Sequence, residues 1–173
     1  MSEQKEEINS LIEEAKKIVE NRDPDLSHLN KLLSRKALLP FAQWIKDKEY
    51  TRVCLYEDLE FELILLCWNP LAKTAIHNHN KQNCCVFFFD SPFRETIYCK
   101  EGQEELQVNE IQKGGISFMN KINACHSLQN LSDKHVMSLH LYNRPIKKCE
   151  IIKESDLEPC LNWAELKYDV KLV

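Results

Sequence analysis

Residues 61–100 read FELILLCWNPLAKTAIHNHNKQNCCVFFFDSPFRETIYCK. Four short runs within this stretch, 61–68, 72–79, 84–89 and 94–100, are rich in β-branched and aromatic residues, with Asn69-Pro70 and Asp90-Ser91-Pro92 as punctuation. Runs of this kind between turn residues predict strands. The texture begins at Tyr50 and continues through 115–120, 135–142 and 149–153. Many short strands in succession predict a sandwich or barrel. With only three glycines in the chain, the turns fall to Asn-Pro, Asp-Ser-Pro and the asparagines at 109, 120 and 123.

Upstream of this region the pattern is helical. Ile8, Leu11, Ile12, Ala15, Ile18 and Val19 recur at helical spacing across residues 4–21, with Glu and Lys on the other face. Asn21-Arg22-Asp23-Pro24-Asp25 breaks the helix. Leu26, Leu29, Leu32 and Leu33 predict a second short one, with Asp25 or Ser27 as its cap. A third is expected after Pro40, through Phe41, Trp44 and Ile45. The expectation is a single mainly β domain over residues 1–173, with a helical cap at 1–48 and a β-barrel at 50–173.

Composition bounds the function. The 173 residues are 43% hydrophobic and 29% charged with a net charge of -4, as in an ordinary globular protein large enough to bury a core. Basic and acidic residues are interspersed, as in Lys46-Asp47-Lys48-Glu49, so no stripe tracks phosphates and no nucleic-acid partner is expected. The N-terminus lacks a signal-like apolar run, and no later segment reaches the length of a membrane span, so a cytoplasmic protein without a membrane partner is expected. Eight cysteines without a C-x2-C pair are read as free thiols rather than a zinc site or a disulfide set.

His77-Asn78-His79 closes one of the predicted strands. Residues i and i+2 of a strand share a face, so two imidazoles can turn toward one metal, although a pair of exposed histidines at a strand end has the same spacing. His126 offers a third ligand from a distant segment. H-x-H, an interval of some 45 residues and then H-x3-N, His126 to Asn130, resemble the two metal motifs of the cupin superfamily. The acidic ligand usual in the first of those motifs is missing, Asn83 and Cys84 standing near its place.

Further blocks narrow the resemblance. Tyr50-Thr51-Arg52, Leu66-Cys67-Trp68, His77-x-His79-x4-Cys84, Arg94-Glu95-Thr96 and Ser138-Leu139-His140-Leu141-Tyr142 appear in the order found in cysteine dioxygenases, and the likeness covers residues 50–149. It implies a cupin-type, jelly-roll-like β-barrel holding Fe(II) on His77, His79 and His126, with L-cysteine and O2 as substrates and cysteine sulfinic acid as product. By the same resemblance Arg52 binds the substrate carboxylate with support from Tyr50. Ser138 orients His140, His140 reaches the hydroxyl of Tyr142, Tyr142 serves bound dioxygen, and Cys84 forms a thioether with Tyr142. Read without the family, Arg52 is a surface ion-pair residue, Cys84 a buried thiol and the 136–142 segment a strand with one solvated face. A monomer is expected.

Two departures stand out. Asn143-Arg144-Pro145 follows the tyrosine where mammalian-type members have Ser-Pro-Pro; a cis bond before a non-proline residue costs ~3–4 kcal/mol, so a trans bond is expected there. Arg144 then offers a second cation to the substrate. Phe87-Phe88-Phe89-Asp90-Ser91-Pro92 replaces a glycine turn. Alternatives are a dioxygenase of another thiol acid such as 3-mercaptopropionate, a zinc isomerase or hydrolase, and a ligand-binding cupin.

Overall fold

The computed structural model describes residues 2–21, 34–99, 104–119, 125–152 and 162–172. Helix α1 (Ser2–Asn21) is followed by a single turn α2 (Arg35–Leu38) that runs into a 3-10 turn at Leu39–Phe41. The strands are β1 (Tyr50–Glu57), β2 (Phe61–Trp68), β3 (Ile76–His77), β4 (Asn83–Phe88), β5 (Phe93–Tyr98), β6 (Glu105–Ile111), β7 (Ile116–Met119), β8 (Cys125–Asn130), β9 (Val136–Asn143), β10 (Lys148–Ile152), β11 (Asn162–Glu165) and β12 (Val170–Lys171). They form two six-stranded sheets, ordered β12-β1-β2-β9-β4-β7 and β11-β10-β3-β8-β5-β6. The sheets do not share a strand, and this jelly-roll-like pair of layers is the β architecture the sequence predicts.

Why FELILLCW carries so little polar pattern follows from its place. β2 lies between β1 and β9 in its sheet, and all eight of its residues are buried. A strand covered on both faces reads as a nearly continuous apolar run. On one face Leu63, Leu65 and Cys67 join Met137, Leu139 and Leu141 under Leu11, Ile12 and Ala15 of α1. On the other, Ile64, Leu66 and Trp68 meet Phe88, Phe93, Leu128 and Tyr142 in the space between the sheets. The helix therefore plugs the outside of one sheet, and the functional side chains occupy the inside.

Several expectations change. The second helix falls at residues outside those described. The third does not run from Phe41 to Ile45: the helical turns precede it, Ser34 Oγ capping the Ala37 N–H at 3.1 Å, and Ala42 is already extended. Pro40 fits the first turn of a helix because its missing N–H has no partner to lose there. The strand expected over 72–79 shrinks to Ile76–His77 plus one bridge between Lys73 and Gln129. There Thr74 bonds β8 through its hydroxyl as well as its backbone, Leu128 N–H donating to Thr74 Oγ1 at 3.0 Å, and a side chain that replaces a ladder bond interrupts regular pairing. The Asn143–Arg144 bond is trans, with Arg144 at φ 74°. Among the described residues no helix is long and apolar enough to cross a membrane.

Candidate metal and substrate site

β3 and β8 are antiparallel, with His77 directly opposite His126. His79 lies beyond the end of β3, yet its ring joins the other two: centroids are 5.3 Å apart for His77 and His79, 4.6 Å for His77 and His126, and 4.7 Å for His79 and His126. Asn78 supplies the missing order. Its N–H donates to the Glu150 carbonyl at 3.1 Å, and its side-chain oxygen accepts the Glu150 N–H at 3.2 Å, so the step between the two histidines is stitched to β10. Asn80 and Lys81 then adopt left-handed φ of 48° and 66°, and Gln82 N–H closes the turn on the His79 carbonyl at 2.8 Å.

The ring nitrogens are assigned by their partners. His77 Nδ1 lies 2.9 Å from the Ala75 carbonyl, and His126 Nδ1 lies 2.9 Å from Glu95 Oε1. Each leaves its Nε2 as a lone pair. His126 Nε2 and His79 Nε2 face each other at 3.0 Å, and one ligand atom from each of the three residues lies within 4.8 Å of the others. Loss of water, and then the neighbouring imidazoles, push His77 down to about 3 and His79 well below the ordinary histidine value. Neutral rings are the form that ligates. Metal–nitrogen bonds of about 2.0–2.1 Å at near right angles put two nitrogens about 3 Å apart, so the donor set fits a shared cation. Glu95 was not singled out in the sequence. It is buried on β5, also accepts from Ser117 Oγ at 2.7 Å, and although burial alone would raise its carboxyl, the His126 and Ser117 contacts hold it below the ordinary value. The available signal was an acid two residues before Ile97 and two after Phe93, both apolar, on the same face of the strand.

The inner face of β9 carries the rest. Cys84 on β4 stands directly opposite Tyr142. Burial drives both groups well above their ordinary values, and each acts on the other. Tyr142 also stacks edge-on against His79 at 5.4 Å. Trp68 Nε1 donates to Ser138 Oγ at 2.8 Å, which leaves the serine proton for His140 Nε2 at 2.8 Å. The expected bond from His140 to the Tyr142 hydroxyl is not among those of the described residues. Side chains two apart on a strand stand side by side, and here the rings lie nearly parallel at 6.2 Å.

Arg52 is 9% exposed, yet its Nε and Nη2 are buried without a partner. Two orphan donors on a buried cation mark a site for an anion. Its backbone is fixed by Asp169, which accepts the Arg52 N–H at 2.8 Å and donates its own to the Arg52 carbonyl at 2.9 Å. Tyr50 packs 5.1 Å from the Trp68 ring, and with Arg52, Ala75 and Leu166 it lines a cavity of about 400 Å³. Arg144 is exposed and borders a different cavity of about 1090 Å³ with Lys16, Asp58 and Leu141 on the α1 side of its sheet. It is not brought to the histidines as a second cation.

With this geometry in place, known proteins can be compared. The family described as cysteine dioxygenase type I matches residues 4–155. The cysteine dioxygenase type 1 of Danio rerio is 26% identical over 108 residues, 58% of this chain and 54% of that protein. That of Homo sapiens is 26% identical over 96 residues, 52% and 48% respectively. The chain thus spans about half the length of the relatives it matches. Among solved structures, the Schizosaccharomyces pombe Cnp3 cupin domain aligns with TM-score 0.51 at 10% identity over 62% of this chain and 72% of that one. A Klebsiella pneumoniae protein with a double-stranded β-helix domain gives 0.51 at 11% identity over 74% and 87%. At such identities the likeness establishes the fold, a cupin, and nothing about activity.

Proposed function

The chain belongs to the cysteine dioxygenase type I family, and from that premise we propose an Fe(II)-dependent thiol dioxygenase that adds both atoms of O2 to the thiol of L-cysteine, giving cysteine sulfinic acid. The observation that carries the reading is three converging imidazoles beside a buried guanidinium with unpaired donors. His77, His79 and His126 would hold the iron. Three neutral protein ligands would leave the rest of the metal's coordination to small molecules. When bound, Fe(II) supplies the redox chemistry that joins oxygen to sulfur.

The protein's own part is orientation and proton control. Arg52 takes the substrate carboxylate through Nε and Nη2 in two parallel charge-assisted bonds, with Tyr50 on its flank. Tyr142, kept protonated by burial, donates a hydrogen bond toward the reacting oxygen. Ser138, held by Trp68, orients His140 in the same wall. Cys84, opposite the tyrosine, is the partner for a thioether. The enzyme would act as a cytoplasmic monomer on a free amino acid.

Metal analysis followed by an oxygen-electrode assay tests this. Oxygen uptake that needs both iron and L-cysteine, with sulfinic acid formed, is expected. Turnover without O2, or none with any metal, would remove the proposal. Much faster consumption of 3-mercaptopropionate would change the substrate while leaving the chemistry.

A further inference from the structure

A second carboxylate is buried close to the guanidinium that has no partner. Glu62 on β2 is fully buried and stands directly opposite Tyr142 in the β2–β9 pairing. It faces the space between the sheets, on the same side of β2 as Ile64, Leu66 and Trp68. Arg52 stands opposite Leu66, four residues from Glu62 along the same face of β2, and the two charges act on each other. A buried cation and a buried anion within reach of each other ordinarily pair, since each lowers the other's desolvation cost. Here they do not: Arg52 Nε and Nη2 have no hydrogen-bond partner.

What occupies Glu62 is clear. Its Oε1 accepts the Ile146 N–H at 2.9 Å, and its Oε2 accepts the hydroxyl of Tyr168. Tyr168 is itself fixed from three sides. Lys147 donates to its hydroxyl at 3.1 Å and sits 4.9 Å over its ring, and Lys171 lies 5.9 Å from the ring centre. Asp169, the next residue, is bonded to both backbone groups of Arg52. The segment that anchors Arg52's main chain therefore also carries the hydroxyl that occupies the competing carboxylate.

We infer that Tyr168 is a positioning residue for substrate binding: its hydroxyl holds the Glu62 carboxylate on Ile146, away from Arg52, and so leaves the guanidinium open for the carboxylate of the thiol substrate. Without that hydroxyl, one lone pair of a buried anion loses its donor, and the unpaired donors of Arg52 face the same interior. An internal ion pair then competes with the substrate. The effect falls on binding and not on the chemical step, because neither Tyr168 nor Glu62 touches the reacting atoms. The inference rests on the role proposed for Arg52.

The test compares Tyr168→Phe, Tyr168→Phe/Glu62→Gln and Arg52→Gln in the iron-loaded protein, by steady-state kinetics with L-cysteine and by anaerobic calorimetric titration with the same ligand. Tyr168→Phe is expected to raise KM and Kd about tenfold, equivalent to about 1.4 kcal/mol, with kcat changed less than twofold. The double variant, which removes the competing charge, is expected to return both to within about threefold of the parent. A Tyr168→Phe protein with parental Kd would overturn the inference. So would a double variant no better than the single one, which marks a merely structural tyrosine. If Arg52→Gln leaves Kd unaltered, it is the role of Arg52 that fails, and this inference with it; a large loss there beside an unaltered Tyr168→Phe sinks this inference alone.

Discussion

At the scale of single residues, the metal face depends on one acid outside the triad. Glu95 accepts from His126 Nδ1, fixing which nitrogen carries the proton and where the ring points. Partners of this type, when removed, typically cost 10–100-fold in metal affinity. Glu95→Gln is therefore expected to weaken iron binding by about that factor in a chelator competition, while His126→Ala should abolish stoichiometric loading. The Cys84–Tyr142 pair gives a second prediction, since the two stand directly opposite in register. Peptide mass spectrometry after aerobic turnover is expected to find a linked Cys84–Tyr142 pair lighter by two hydrogens, a species that Cys84→Ser cannot form. The histidines, Arg52, Cys84 and the Ser138–Tyr142 strand were legible because they sit in short ordered motifs. Glu95 was not, since an inward acid in an alternating strand looks the same on paper as an outward one until the register is known.

At the scale of elements, the reading succeeded where burial writes a pattern and failed where it does not. β2, β4 and β9 are covered on both faces and were legible within a residue or two, β2 and β4 by their apolar runs and β9 by its alternation. β6, with most of its residues exposed, gave ELQVNEI, whose brief alternation through Leu106 and Val108 ends at Glu110 and belongs to exposed side chains on an edge strand. β12 is two residues long and pairs in parallel with β1 across more than a hundred positions, beyond the reach of any local signal. The strand expected over 72–79 failed for another reason, the Thr74 hydroxyl competing for a ladder partner. The double coverage of β2 also sets an energy. Leu65 is fully buried between α1 and β9, so Leu65→Ala is expected to destabilise by about 2–5 kcal/mol, read as a lower urea midpoint with unchanged slope.

At the scale of the whole molecule, the metal and the charges tie together segments far apart in sequence. Iron on His77, His79 and His126 would join β3, the turn after it and β8, and a ligand that binds only the folded state at a hundred times its Kd adds about 2.7 kcal/mol. Thermal unfolding is expected to rise on iron loading and to fall back with a chelator, and the His126→Ala protein should show neither change. A second tie is Glu57, ion-paired to Lys147 and to Lys171, the latter at 2.9 Å. Burial alone would raise this carboxyl; the two lysines outweigh it and hold it below its usual 4.5. A depressed folded value means stability present above that pH and lost as pH falls through the lower one. Glu57→Gln is accordingly expected to be less stable than the parent near neutrality and to converge with it in acid, as followed by urea unfolding across pH.

The return of Asp169 to Arg52 spans 117 positions, and it sets an order of events on the ribosome. His77, His79, His126 and Glu150, to which Asn78 is bonded, have all been synthesised once residue 150 is made, whereas β1, which carries Arg52, stays open along one edge until residues 169–171 emerge. The three-histidine group can thus be assembled before that edge of β1 closes, and contacts so distant in sequence are among the slower ones to form.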